Sequence, residues 1–252
     1  MFDFLLLVLL GLGVFLLFSG FRGESRGRMV IGAVLALIAL SLTWFLDFWG
    51  EKLWFDAISY NDRFWSLFFF ETGLVIAGAL AATLIVAGLT AGLPARRKWV
   101  RYGALGLAAA VGGLWGYGNW ETVLKFWHGV STGLRDPILG QDTGFYLFTL
   151  PFLDELYTFL FMLVGIGLVA SVIARFRLEQ EGRQVRVLQF TGGEGRSLNR
   201  ALFLNAGILL LIAAGGKYID RFHLLYSNLG AVSGPGWKDV HIILPTLMVM
   251  VI

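Results

Sequence analysis

Ionisable side chains set inside apolar runs are the residues best placed to do chemistry in this sequence. Glu71 lies seven residues inside the hydrophobic stretch Phe64–Leu93, roughly 10 Å from its end if helical. A carboxylate at that depth is costly unless it is paired, protonated or wet. Lys217 and Asp220 stand three apart at the end of another apolar stretch, Ala201–Ile219, which puts them on one helix face. Asp47 sits near the end of Met29–Trp49. Their similar depth allows a Glu71–Lys217 pair. The four residues therefore read as a structural ion-pair cluster or snorkelling helix ends, with a proton or ion relay as the functional alternative.

Other candidate chemistry is thin. His128, His223 and His241 fall on the same predicted side as Asp136, Asp142 and Asp239. No two histidines have a ligand spacing such as H-x-x-x-H, so no metal centre is read. There is no cysteine, hence no thiolate ligand and no cysteine nucleophile. Thr191–Ser197, TGGEGRS, lacks the G-x-x-x-x-G-K-[ST] order of a phosphate loop. No catalytic set and no cofactor site can be assembled, and an enzyme is the third-ranked reading.

The elements that carry these residues are set by composition. Of 252 residues, 57% are hydrophobic and 15% charged, against roughly 45–50% and 25% in soluble chains. Mean hydropathy is +0.74. So little charge cannot cover a water-facing surface, which makes this an integral membrane protein and excludes disordered and disulfide-scaffold classes. The net charge of +3 is a topology signal here and not a nucleic-acid footprint.

A membrane-crossing helix needs about 20 apolar residues. Six stretches qualify: Phe4–Phe21, Met29–Trp49, Phe64–Leu93, Trp99–Gly118, Phe152–Ala174 and Ala201–Ile219. A seventh, from Val240 to Ile252, is too short to span. A chain that stops inside an apolar run reads as the front part of a longer protein. The expected fold class is all-α, a polytopic transmembrane helix bundle with six full spans, a truncated seventh and structured outer loops. The first stretch is not a cleavable signal, because its arginines (Arg22, Arg26, Arg28) follow the apolar run instead of preceding it.

Connections after the first, third and fifth stretches hold three, four and six Lys or Arg, thirteen in all; the opposite side holds seven. The positive-inside rule then places the basic side in the cytoplasm and the N-terminus outside. The most basic loop, Arg175–Arg200, alternates in polarity and carries Glu181-Gly182, a hairpin signal. Ser197 is a candidate N-cap for the sixth helix. The inner basic loops would attract anionic lipid, which with the bilayer itself is the expected partner. Segment four is rich in glycine (Gly103, Gly106, Gly112, Gly113, Gly116, Gly118). This reads as tight intrachain helix packing, with a mobile or homo-oligomeric helix as the functional alternative.

The two outer connections are rich in aromatics. WGEKLWFDAISYNDRFW follows the second stretch. After the fourth, Trp120, Val123, Leu124 and Trp127 recur at i, i+3, i+4 and i+7, the stripe of an interfacial amphipathic helix. An aromatic belt accounts for these rings better than substrate stacking. Further on, Pro137 fixes a turn and Gly140 permits one. Asp136 and Asp142 can cap amides there. Phe145, Tyr146 and Phe148 dip towards the membrane, and Pro151 opens the fifth helix. This reads as a re-entrant or interfacial knuckle, a plug or docking platform and not a catalytic loop.

WFDAISYNDRFW (Trp54–Trp65), Trp120-Glu121, DPILGQDTGFYLFTLPF (Asp136–Phe152), Asp220-Arg221, Leu225-Tyr226-Ser227, Gly234, Gly236, Asp239 and Leu244-Pro245 together resemble the uncharacterised bacterial membrane protein family numbered 0182 in the UPF series. The resemblance extends over essentially the whole chain. Departures from the family pattern are Leu139 for a usual Phe, Ser131-Thr132 for a usual Pro-Phe, and Pro235, Lys238 and His241. The resemblance implies further spans and a large extracytoplasmic domain in the bacterial inner membrane. It carries no established activity. The expected role is an anchoring and assembly module, with a transporter or channel component for an ion, lipid or amphiphile as the alternative.

Overall fold

The computed structural model describes residues 2–94, 97–174, 176–181, 185–190, 195–226 and 234–251. The chain forms two compact units, Met1–Phe69 and Phe70–Ile252. Among the described residues the α-helices are α1 (Phe2–Arg22), α2 (Arg26–Ala57), α3 (Asn61–Leu89), α4 (Lys98–Trp127), α5 (Leu150–Ile173), α6 (Gly195–His223) and α7 (Leu244–Met250). The predicted hairpin is present: β1 (Phe176–Glu181) pairs antiparallel with β2 (Val185–Phe190), Phe176 opposite Phe190 and Glu181 opposite Val185. It is the one two-stranded sheet among the described residues. Gly182 lies outside them, as do Thr191–Glu194 of the discarded phosphate-loop stretch and Ser227 of the family pattern.

Among the described residues, five helical stretches are long and apolar enough to cross a membrane by length and composition: Phe4–Arg22, Arg26–Ala57, Asn61–Leu89, Phe145–Ile173 and Asn199–Tyr226. The predicted fourth span is not among them. Helix α4 has the length, 30 residues, but its glycines, tryptophans and tyrosines dilute its apolarity. Residues Asp239–Met250 form a shorter apolar helix.

Most helix ends lie beyond the predicted boundaries, whereas α3 stops at Leu89, four residues before the predicted Leu93, and α5 at Ile173, one before Ala174. The loop expected after Trp49 is mostly helix, because α2 continues to Ala57. No proline interrupts it, and the Lys52 ammonium pairs with the Asp56 carboxylate one turn on. At 32 residues α2 is roughly 48 Å long, well beyond ~30 Å of hydrocarbon. The separate interfacial helix expected at Trp120–Trp127 is the last two turns of α4. Helix α6 begins at Gly195, so Ser197 lies inside it and is not its N-cap.

In the first unit, α1 and α2 meet through glycine. A methyl group on Gly32 would lie 2.5 Å from the Leu17 nitrogen and 2.7 Å from the Gly13 oxygen. Phe48 and Phe64 meet edge-on at 5.4 Å between ring centres. In the second unit α3 and α4 also meet backbone to backbone. Ala104, Ala108, Gly112 and Gly116 recur every four residues along α4 and are all buried. Gly78 and Ala82 of α3 face them: a Cβ on Gly112 would lie 2.2 Å from the Gly78 oxygen and 2.6 Å from the Ala82 methyl. This is the small-residue packing that substitutes for a hydrophobic drive in lipid. Trp115 then stacks on Phe159 at 4.6 Å and donates its Nε1–H to the Glu155 carbonyl at 3.1 Å, joining α4 to α5.

A polar node ties α3, α5 and α6. Asn205, 1% exposed, donates from Nδ2 to the Ser171 hydroxyl at 3.0 Å and to the Leu89 carbonyl, the last of α3, at 3.3 Å. Ser171 in turn donates to the Gly167 carbonyl. Replacing Asn205 with alanine is expected to cost about 1–2 kcal/mol, the scale of interhelical hydrogen bonds in membranes, read as a lower unfolding midpoint in detergent. An unchanged midpoint would show that the node is not stabilising.

Candidate functional site

Among the described residues, a dense hydrogen-bonded constellation forms the connection between α4 and α5, residues 128–149. Two carboxylates organise it. Asp142 Oδ1 accepts from the backbone N–H of Thr132 (3.1 Å) and of Gly144 (2.7 Å), and from the Thr132 hydroxyl (3.3 Å). Its Oδ2 accepts from the Ser131 hydroxyl (2.8 Å) and the Gly133 N–H (2.9 Å). Asp136 Oδ1 accepts from Ile138 N–H (2.9 Å), and Oδ2 from Leu139 N–H (2.7 Å) and the Tyr146 hydroxyl (3.0 Å). Gly133 and Gly140 have φ of +74° and +71°, where a side chain would strain the backbone. Gly144 is required for space: a Cβ there would lie 2.3 Å from the Val130 oxygen.

These contacts set the electrostatics. The Thr132 amide, the Ser131 hydroxyl and the Gly144 and Gly133 amides hold the Asp142 carboxyl down to about 2. Burial pushes Asp136 up, but the amides of Ile138, Leu139 and Gly140 and the Tyr146 hydroxyl outweigh it and hold it below its ordinary value. A depressed carboxylate contributes order that is fully present above its unfolded pKa, ~4, and is lost as pH falls through the folded value. Amide-exchange protection at Thr132, Gly133 and Gly144 should therefore persist at pH 4 and disappear towards pH 2. Loss of protection already by pH 4 would contradict the assignment.

The knuckle is fastened to the end of α6 by aromatic rings. Phe145 packs on Phe222 at 4.8 Å. Tyr146 is buried and meets Phe222 and Tyr226 edge-on at 6.3 and 6.2 Å. Tyr146 and Phe145 thus turn inward against protein. Phe148 lies against Gly129, whose added Cβ would come within 3.0 Å of the Phe148 Cβ. Phe126 stacks on Phe152 at 4.2 Å. Residues Phe145–Thr149 form a single π-helical turn before Pro151 at the start of α5. Pro151 has no N–H and crowds the carbonyl four residues back, which interrupts the ladder; here the chain widens, and Leu150 N–H reaches the Phe145 carbonyl. The same device recurs at Asp239–Ile243 before Pro245, with Leu244 N–H on the Asp239 carbonyl. Buried Asp239 there accepts from the Gly236 N–H at 2.8 Å.

The remaining sequence candidates are dispersed. Lys217 pairs with Asp220 on its own helix at 2.8 Å, each about half exposed. Glu71 is half-buried on α3 and makes no ion pair among the described residues. Asp47 is exposed and lies in the first unit. Trp120 is half-buried, and Glu121 pairs with Lys125 at 3.0 Å. Each histidine has a local role: His128 and His241 bond carbonyls one turn back at 3.1 and 3.0 Å, and His223 meets Asp154 of α5 at 2.9 Å. Among the described residues no three His, Cys, Asp or Glu side chains gather as a metal would require. Sequence reasoning missed the Asn205–Ser171 node and the His223–Asp154 pair. A lone Asn inside an apolar run was the available signal for the first.

Residues 88–252 match the family model of an uncharacterised protein family, UPF0182. The matched region contains α4, the knuckle, α5 and α6. A UPF0182 protein of Mycolicibacterium paratuberculosis is 29% identical over 252 residues, covering 89% of this chain and 25% of the relative. One from Synechococcus is 34% identical over 234 residues, covering 88% and 26%. One from Geobacter is 39% identical over 142 residues, covering 56% and 15%. The chain thus spans about a quarter of the length of the first two. No solved structure matches it.

Proposed function

This chain belongs to the uncharacterised bacterial protein family UPF0182, and we propose that it acts there as a membrane-embedded anchoring and assembly module. On this reading α4 is a sixth crossing beside the five apolar helices, the N-terminus is outside, and the knuckle lies on the outer face of the bacterial inner membrane. The observation that carries the proposal is how the knuckle's carboxylates are used. Asp142 spends its two oxygens on five local donors, and Asp136 on three. Groups so committed hold a shape; they are poor bases and poor ligands. A rigid platform at the end of a helix bundle suits docking of the further three quarters of polypeptide that the relatives possess.

The test uses the full-length protein with a protease site in the first polar segment beyond Ile252. After cleavage in mild detergent the two parts should co-purify, and should separate when Asp136 and Asp142 are both changed to Asn. Separation of the two parts of the unsubstituted protein would contradict anchoring. A transport role has weaker support, resting on half-buried Glu71, which makes no ion pair among the described residues. Glu71→Gln should leave assembly intact on the anchoring reading, and loss of an ion or lipid flux in that variant with assembly preserved would move transport ahead.

A further inference from the structure

A groove of about 760 Å³ lies between the end of α3 and the first half of α6. Gly88 of α3 and Gly92 just beyond its end form one wall; Arg200, Leu204 and Ile208 of α6 form the other, with Asn205 beside them. Their spacing of four puts Arg200, Leu204 and Ile208 on one face of α6, so the cation and the apolar side chains share the same cleft. A Cβ added to Gly88 would meet nothing within 4 Å, which keeps the cleft open. Closing it by a shift of α6 would break the bonds by which buried Asn205 ties that helix to the Leu89 carbonyl and to Ser171.

The groove has a charged end and an apolar end. Arg200 is the second residue of the apolar stretch Asn199–Tyr226, which sets it at the membrane edge. It is exposed and makes no ion pair among the described residues. Ile208 lies roughly 12 Å deeper at 1.5 Å per residue, within the ~15 Å of one leaflet. A guanidinium holds a phosphate through two parallel N–H bonds, and basic pockets between crossing helices suit phospholipid headgroups. A cleft with that cation in its own wall and an apolar floor within one leaflet fits phosphate at the edge and acyl chain inside.

We propose that the α3–α6 groove holds one anionic glycerophospholipid, with its phosphate on Arg200 and an acyl chain against Leu204 and Ile208. The site rests on α3 and α6 crossing the membrane, as in the function proposed above, and is independent of anchoring. It differs from general attraction of anionic lipid to basic loops, because it specifies one cleft and one cation within its wall.

The test is native mass spectrometry of the full-length protein, extracted from membranes, delipidated and titrated with phosphatidylglycerol or phosphatidylcholine. Recovery in the membrane fraction is scored first: absence there would overturn the membrane reading and the site together, whereas presence without lipid would overturn the site alone. The most tightly retained lipid should be a single phosphatidylglycerol, preferred about fivefold over phosphatidylcholine, as one membrane-surface cation implies. Arg200→Gln should erase that preference. Gly88→Leu, which fills the cleft, should erase retention of both lipids. Arg101→Gln removes an exposed cation of α4 that does not line the groove and should change nothing. Should the Gly88→Leu protein not fold, the two arginine variants decide alone. Equal binding of the two lipids by the unsubstituted protein, the same loss of preference in Arg101→Gln as in Arg200→Gln, or no lipid because another segment of the polypeptide covers the groove would each overturn the proposal.

Discussion

Replacing Gly112 with leucine is expected to abolish stable accumulation of the protein in membranes. At this position α3 and α4 touch through main-chain atoms: an added Cβ would lie 2.2 Å from the Gly78 oxygen. Overpacking an ordinary core site costs ~1–3 kcal/mol because side chains can shift. Here a backbone carbonyl must move, and Gly116, whose Cβ would lie 2.5 Å from the Leu74 oxygen, prevents a simple pivot one turn away. The cost should therefore reach or exceed the top of that range. The matched control is Gly106→Leu on the same helix, where a Cβ meets nothing within 4 Å. Immunoblots of membrane fractions should show the control near the unsubstituted level and Gly112→Leu nearly absent. Equal accumulation would mean that α3 and α4 do not pack as described.

The second large effect is expected at Asp142. In Asp142→Asn one carboxylate oxygen becomes an amide nitrogen, a donor that must face donors. If it replaces Oδ2 it confronts the Ser131 hydroxyl and the Gly133 N–H; if Oδ1, the Thr132 and Gly144 amides. The Ser131 hydroxyl can turn to accept from the new amide, but either way at least one backbone N–H loses its acceptor, and hydrogen bonds to a charged group are the stronger kind. Proteolysis within residues 128–149 should accelerate by on the order of tenfold or more, since cleavage follows the open population. Tyr146→Phe should have a smaller effect, because the ring keeps its packing against Phe222 and only the bond to Asp136 is lost. A reversed order of sensitivity would place the anchor in the aromatic cluster and not in the carboxylates.

The knuckle was legible in the sequence because its chemistry is local. Glycine at a positive φ, proline in a turn and aspartate capping nearby amides act over a few residues, and Asp136, Gly140 and Asp142 behave accordingly. Its donors were harder to foresee. Ser131 and Thr132, which depart from the family pattern, reach Asp142 across ten or eleven residues. The apolar stretches located the helices but not their ends, because Glu51, Lys52 and Asp56 are as compatible with an extended helix as with a loop. Contacts distant in sequence left no pattern to read: Asn205 meets Leu89 across 116 residues. The Glu71–Lys217 pair that similar depth allows is not among the ion pairs of the described residues. Lys217 is paired within one turn by Asp220, where little extra chain must be ordered to form the bond.

The π turns at Phe145–Thr149 and Asp239–Ile243 had a readable cause, since each precedes a Leu-Pro pair. Proline marks where a helix ladder is interrupted. It does not dictate whether the chain kinks, breaks or widens by one residue.

The central claim is that this chain is a membrane anchor whose carboxylate-locked knuckle faces outward. Because the sequence contains no cysteine, single-cysteine labelling tests it directly. Lys125→Cys reports the knuckle end of α4, and Lys98→Cys the opposite end of the same 30-residue helix. With a membrane-impermeant maleimide on intact inner-membrane spheroplasts, position 125 should be labelled at once and position 98 only after permeabilisation. Labelling of position 98 alone, or of both positions before permeabilisation, would contradict the account.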